Sequence, residues 1–284
     1  MMHTARSEWI TRWLMRATTY FVVFVIAFII LKIVWNGLPT ISWEFLAEMP
    51  RNSGAEGGIL PAIVGTLLLV LGTVAVALPL GMATAIYLSE YARPGRFTRT
   101  VRLAIVTLAG VPSIVFGLFG LGLFVIFLRF GASLLSGCLT LACMILPTII
   151  VSSEEALRTV PRSLREGSLA LGATKWQTIY KNVLPYSIPG MLTGSILGVG
   201  RAAGETAPIL LTVAAFYLPK LPKSIFDQVM ALPYHLYVLA TQHPDVAKVR
   251  PMQYGTALVL VVLVLGVNLA AILLRVRIRK KYRW

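Results

Sequence analysis

Residues 152–185 read SSEEALRTVPRSLREGSLALGATKWQTIYKNVLP, the one sizeable polar stretch set between long apolar runs. Ser152 with Glu155, Ser163 with Glu166 and Thr174 with Gln177 each have the capping-box spacing, in which two side chains three residues apart satisfy orphan backbone N–H groups at a helix start. The stretch therefore predicts short helices placed end to end. Gly172 can take the left-handed conformation that ends a helix, so Ser163–Leu171 and Lys175–Leu184 are expected as a helix-turn-helix, which Pro185 then stops. Leu164, Leu171, Trp176, Ile179 and Val183 are interspersed with Arg162, Arg165, Lys175 and Lys181. That pattern suits an amphipathic element resting on a membrane or a partner protein, against the plainer alternative of a solvated loop with one membrane-facing edge.

The runs on either side decide the solvent. Of 284 residues, 57% are hydrophobic and 13% charged, and the mean hydropathy is +0.79. Such a chain is an integral membrane protein and not a soluble domain. The expected fold is all-α, with six transmembrane helices at about 17–35, 58–87, 101–128, 132–151, 186–217 and 255–274, each long enough for the roughly 30 Å hydrocarbon core. The first run lacks a small-x-small cleavage site and ends in Lys32 and Trp35, so an uncleaved span is expected in place of a signal peptide. Pro79 and Pro112 mark expected irregularities. Residues 1–16 form an N-terminal segment and 17–284 a single membrane domain, with a long loop at 218–254 whose middle, Ser224–Thr241, is amphipathic enough to lie on the membrane surface.

Lys and Arg set the orientation. Three precede the first span, four lie at residues 93–102, five in the 152–185 loop and six at the C terminus. The opposite side holds Arg51, Arg129, Lys220, Lys223, Lys248 and Arg250, while Lys32 and Arg201 fall within spans. By the positive-inside rule both termini and the 152–185 loop are cytoplasmic. The net charge of +15 then follows from topology, and no nucleic-acid partner is implied.

Small residues mark the packing faces. Gly190, Gly194 and Gly198 form a smooth stripe on the fifth span for a neighbouring helix or a second subunit, and Gly117, Gly120 and Gly122 do the same on the third. Cys138 and Cys143, five apart on an apolar helix, fit neither a metal nor a redox motif and are packing residues. His3, His235 and His243 are scattered, and there is no nucleophile-base motif within a span. Arg201 and Glu205 stand out because each ionisable group at membrane depth costs roughly 2.5–3.5 kcal/mol on insertion scales. Four residues apart, they share a helix face as an internal ion pair or as part of an anion path, the guanidinium fork suiting phosphate.

Glu166-Gly167-Ser168, Gly172 and Leu184-Pro185 resemble the EAA loop of permease subunits of binding-protein-dependent ABC importers: Glu-Ala-Ala, three residues, Gly, nine residues, Ile-x-Leu-Pro. The departures are Gly167 and Ser168 in place of alanines, and Asn182 in place of Ile, which removes an apolar contact of the second helix. ALPLGMATAIYLSEYARPG at 77–95, EEALRTVPRSLREGSLALGATKWQT at 154–178 and GRAAGETAPILLT at 200–212 resemble, within that MetI-like superfamily, the PstA-type permeases of phosphate-specific importers.

The resemblance implies that the loop forms coupling helices seated in an ATPase cleft, a role carried to Glu166, Gly167, Ser168, Gly172, Trp176, Leu184 and Pro185. It also implies a substrate pathway at Arg201 and Glu205. The implied partners are a PstC-type permease, an ATPase homodimer and an extracytoplasmic phosphate-binding protein, in the inner membrane of a prokaryote. The chain has no G-x-x-x-x-G-K-[ST] loop, so ATP and magnesium belong to the partner ATPase and this subunit is a transporter component without a cofactor or enzyme activity of its own. The rival readings are a permease for sulfate or molybdate and a secondary transporter driven by an ion gradient.

Overall fold

Five continuous helices are long and apolar enough to cross a membrane, and a bent helix pair brings the number to six if it is counted as one span. The computed structural model describes residues 2–54 and 56–281; Arg283 and the side chains of Arg6 and Lys281, all counted above among the cations, and the side chain of His3 lie outside that description.

Helix α1 (Met2–Gly37) is helical from the start of the expected N-terminal segment and is followed by the short α2 (Trp43–Ala47) and a two-stranded hairpin pairing Pro50–Arg51 with Glu56–Gly57. Helix α3 (Leu60–Tyr91) continues through Pro79, and its irregularity falls instead in a π-helical last turn, Tyr87–Tyr91. The expected third span is α4 (Arg96–Ala109) and α5 (Ser113–Phe127), bent by 106° across Gly110–Pro112. Proline disfavours helical geometry at the residue before it, which accounts for the break. Helix α6 (Leu134–Arg158) runs on past the expected end, so Ser152 is not a cap; its Oγ donates to the Thr148 carbonyl within the helix at 2.8 Å.

Past α7 (Arg162–Ala170), helix α8 (Lys175–Gly204) corrects two expectations. Pro185 does not stop it, and the fifth span ends at Gly204 and not at 217. A π-helical turn at Ile179–Val183 widens the backbone ladder where a proline would otherwise meet the preceding carbonyls, so the helix passes through. Glu205 and Thr206 break the chain before the short α9 (Ala207–Thr212). Helix α10 (Leu232–Thr241) and α11 (Arg250–Lys281) complete the chain.

Helices α3, α6 and α8 form the centre, with α11 laid against α8 and α1 touching chiefly α11. Leu69, Ala77, Leu141, Ile145, Ile149, Ile209 and Val213 fill the core between them. The glycine stripe of α8 meets α6: Gly190 lies over Ala156, Gly194 over Ser152 and Gly198 over Ile145 and Ile149. The neighbouring helix, not a second subunit, is therefore its partner. On α5, Gly117 faces α9 and Gly120 faces Thr140, whereas Gly122 faces open space. Cys138 is buried under Gly72, consistent with packing, and the described residues contain no cluster able to hold a metal.

Of the expected surface segment 224–241, residues 224–228 are largely exposed, Ile225 and Phe226 among them, whereas 229–239 turn mainly inward. Leu232, Tyr234, His235, Val238 and Leu239 are buried, and Leu232 N–H donates to Thr66 Oγ1 of α3 at 2.8 Å. Residues 229–239 of this loop thus form a folded cap on the bundle, because most of their apolar side chains find cover inside the chain. Burial pushes the His235 imidazole down from 6.5 to about 4, and its Nε2 has no hydrogen-bond partner among the described residues. Between those values the unfolded chain binds a proton that the folded cap refuses, so stability falls as pH drops from about 6.5 towards 4, by at most about 3 kcal/mol. Thermal unfolding of the purified protein at pH 7 and pH 5 is expected to show this loss, and His235→Leu to reduce it.

Candidate functional site: the coupling loop and the Arg201–Glu205 pair

The loop opens at α7 and turns through Gly172, whose φ of +83° is the left-handed conformation that ends the helix as its sequence predicts. Thr174 then caps α8: its hydroxyl accepts from Gln177 N–H at 3.2 Å and Gln177 Oε1 accepts from Thr174 N–H at 2.9 Å, a complete capping box. Of the three boxes expected, this one forms. Ser163 sits inside α7, which starts after Pro161 without a side-chain cap.

The expected coupling residues divide by direction. Glu166, Gly167, Gly172 and Trp176 are exposed, and Trp176 is stacked on Tyr180 with ring centroids 6.1 Å apart. Beside them Leu164, Leu169 and Leu171 are also exposed, Leu171 at 91%. This is an apolar outward face bordered by Arg162, Lys175 and Lys181, the composition of a protein-docking surface. Ser168, Leu184 and Pro185 instead face partly inward. Ser168 Oγ lies 2.9 Å from Thr178 Oγ1 and accepts from Asn182 Nδ2 at 2.9 Å. Two of the three departures from the loop pattern, Ser168 and Asn182, thus bond to each other, and a polar contact stands where the pattern implies an apolar one.

Charged residues that spacing did not single out lie behind the loop. Glu154 of α6 pairs with Arg102 of α4 at 2.7 Å and with Arg158 one turn on at 2.8 Å. Arg165 of α7 turns inward onto Glu90 at the end of α3, at 2.7 Å. The sequence signal was present in part, since acidic residues at the ends of spans need cationic partners, but which arginine answers each one depends on the packing.

At the other end of α8, Arg201 lies in the last turn and Glu205 caps it. Arg201 Nε donates to Glu205 Oε1 at 3.2 Å, with the two side chains 43% and 16% exposed. Both terminal nitrogens of the guanidinium have no partner among the described residues. The pair is an ion pair, as one reading held, and it also leaves a free two-donor fork open to an anion.

Residues 77–284 match the family described as binding-protein-dependent transport system inner membrane component. The chain belongs to this family. Among curated relatives of this permease are the probable ABC transporter permease protein YqgI of Bacillus subtilis (strain 168), 34% identical over 88% of each chain, and the phosphate transport system permease protein PstA 1 of Mycobacterium tuberculosis (strain CDC 1551 / Oshkosh), 40% identical over 77% of this chain and 71% of that one. In fold, the permease resembles a bacterial alginate ABC transporter solved in complex with an alginate pentasaccharide-bound periplasmic protein, with a TM-score of 0.66 at 13% identity over 97% of this chain and 96% of that one. Family membership places it in the inner membrane as a multi-pass subunit and implies an ATPase and a substrate-binding protein as partners. It is a transporter component, not an enzyme, and the ion-gradient transporter reading falls away.

Proposed function

We propose that this permease is the PstA-type half of the membrane pathway of an ATP-driven inorganic phosphate importer. Arg201 carries the reading: a guanidinium at membrane depth, tethered through one nitrogen to Glu205 and free at its fork, suits an oxyanion passing between two subunits. The similarity to curated phosphate permeases supports phosphate as that oxyanion. Glu205 limits how tightly the anion is held, so that it can leave. A PstC-type permease supplies the facing half. A phosphate-binding protein docks on the outer cap formed around α10.

On the cytoplasmic side, where both termini lie, an ATPase homodimer receives the exposed face of Glu166, Gly167, Gly172 and Trp176, while Ser168, Leu184 and Pro185 hold that face in shape. ATP and magnesium bind in those ATPase subunits. Closure of the dimer moves the loop and with it the spans, turning the pathway from one side to the other.

The test is uptake of radiolabelled phosphate into proteoliposomes holding the full complex, with and without ATP and with competing anions. ATP-dependent uptake suppressed by unlabelled phosphate, but not by sulfate or molybdate, is expected. Uptake of sulfate or molybdate without phosphate would overturn the substrate and leave the architecture.

A further inference from the structure

We infer that Glu90 and Arg165 are a positioning pair through which the coupling loop moves the second span. The inference rests on the importer reading above and adds a force path to it. Helix α7 fully buries none of its residues, so packing alone ties it only weakly to the bundle. It is joined to the bundle by polar bonds from two side chains, and Ser168 reaches only within the loop and α8. Arg165 reaches further.

Its Nε and Nη2 donate to Glu90 Oε1 at 3.2 and 2.7 Å, Nη1 donates to the Val160 carbonyl at 2.7 Å, and Nη2 also donates to the Leu157 carbonyl at 2.9 Å. One planar group therefore fixes α7 to the ends of both α3 and α6. With side chains 21% and 9% exposed, Arg165 and Glu90 are shielded from the water that would soften the bond. They sit beside a buried cluster of Leu88, Leu157, Val160 and Val183, which gives the link a stiff base.

Glu90 stands in the π-helical turn that ends α3, a form associated with functional sites within helices. The same turn is held a second time, because Lys175 Nζ at the start of α8 lies 4.9 Å from the centre of the Tyr91 ring. Displacement of the loop thus pulls on Tyr87–Tyr91 from two directions. Glu166, next to Arg165 in sequence, points out to the docking face, so adjacent residues connect the outside of the loop to its inside.

The test compares wild type, Glu90→Gln and Arg165→Lys in the assembled complex. Glu90→Gln keeps the shape and removes the charge; Arg165→Lys keeps the charge but cannot reach the carboxylate and both carbonyls together. Two quantities are read: phosphate transported per ATP hydrolysed, and the ATP-dependent change in distance between spin labels at Leu67→Cys and Leu265→Cys with Cys138 and Cys143 replaced by alanine. Hydrolysis within about twofold of wild type, with transport per ATP lower by about tenfold and the distance change lost, is expected in both variants. Uptake and hydrolysis falling in proportion, or an unchanged distance response, would overturn the pair's role. The label readout does not depend on the transported anion. A wild type that moves its spans but carries no phosphate would therefore overturn the substrate reading alone, and the variants would still decide for or against the link.

Discussion

Arg201→Ala is expected to lower ATP-dependent phosphate uptake by about 10- to 100-fold while the complex stays assembled and continues to hydrolyse ATP. The range is that of losing one charge-assisted hydrogen-bonding group from an anion site, about 1.5–3 kcal/mol. Arg201 has a single side-chain partner, at 3.2 Å and 43% exposed, so its removal disturbs little packing and leaves Glu205 partly solvated. Arg201→Lys keeps one charge without the fork and falls between alanine and wild type. Glu205→Gln acts in the opposite sense on binding: it frees the guanidinium, so the anion is held more tightly, and both KM and the maximal rate decrease. Initial rates of uptake and ATP hydrolysis, measured on the same vesicles, separate these cases. Normal uptake by Arg201→Ala would leave the pair a structural tie.

The largest effect on assembly is expected from Gly194→Val. A methyl group at position 194 would overlap Oγ and Cβ of Ser152 on α6, and that serine is held in place by its own bonds to the carbonyls of Thr148 and Ile149 at 2.8 and 3.2 Å. The close approach of the two helices requires glycine there. Overpacking a filled interior by one or two methylenes costs about 1–3 kcal/mol, and a branched side chain driven against a neighbouring helix exceeds that range. Little intact complex should be recovered from membranes. Gly194→Ala paired with Ser152→Gly is expected to restore most of the yield, because the second change removes the obstacle. Yield and thermal stability of the purified complex provide the check, and a stable Gly194→Val protein would show that α6 and α8 can separate without loss.

Much of this architecture is written locally. A run of apolar residues declares its solvent wherever it occurs, so five of the expected spans appear as long helices, and the Thr174–Gln177 cap and the turn at Gly172 need only their own neighbourhood. The errors arise where distant residues decide. Ser152 has the spacing of a cap, yet continuation of α6 through Arg158 makes it an interior residue beneath Gly194. Pro185 has the character of a stop, yet the widened turn before it carries the helix through. Residues 229–239 look like part of a surface segment until α3 and α11 cover them. In the candidate site, Arg201 and Glu205 were legible from their rarity within a span, whereas Glu90 and Arg165 lie 75 positions apart and no spacing rule joins them.

The passage of α8 through Pro185 makes the helix a lever. Its 30 residues, from the capped start at Lys175 to Gly204, span about 45 Å at 1.5 Å per residue. A tilt of about 5° at the Lys175 end, with no change in any internal bond, would carry the Arg201 end sideways by about 4 Å, more than a hydrogen-bond length. A helix that ended at the proline would have lost that amplification in a hinge.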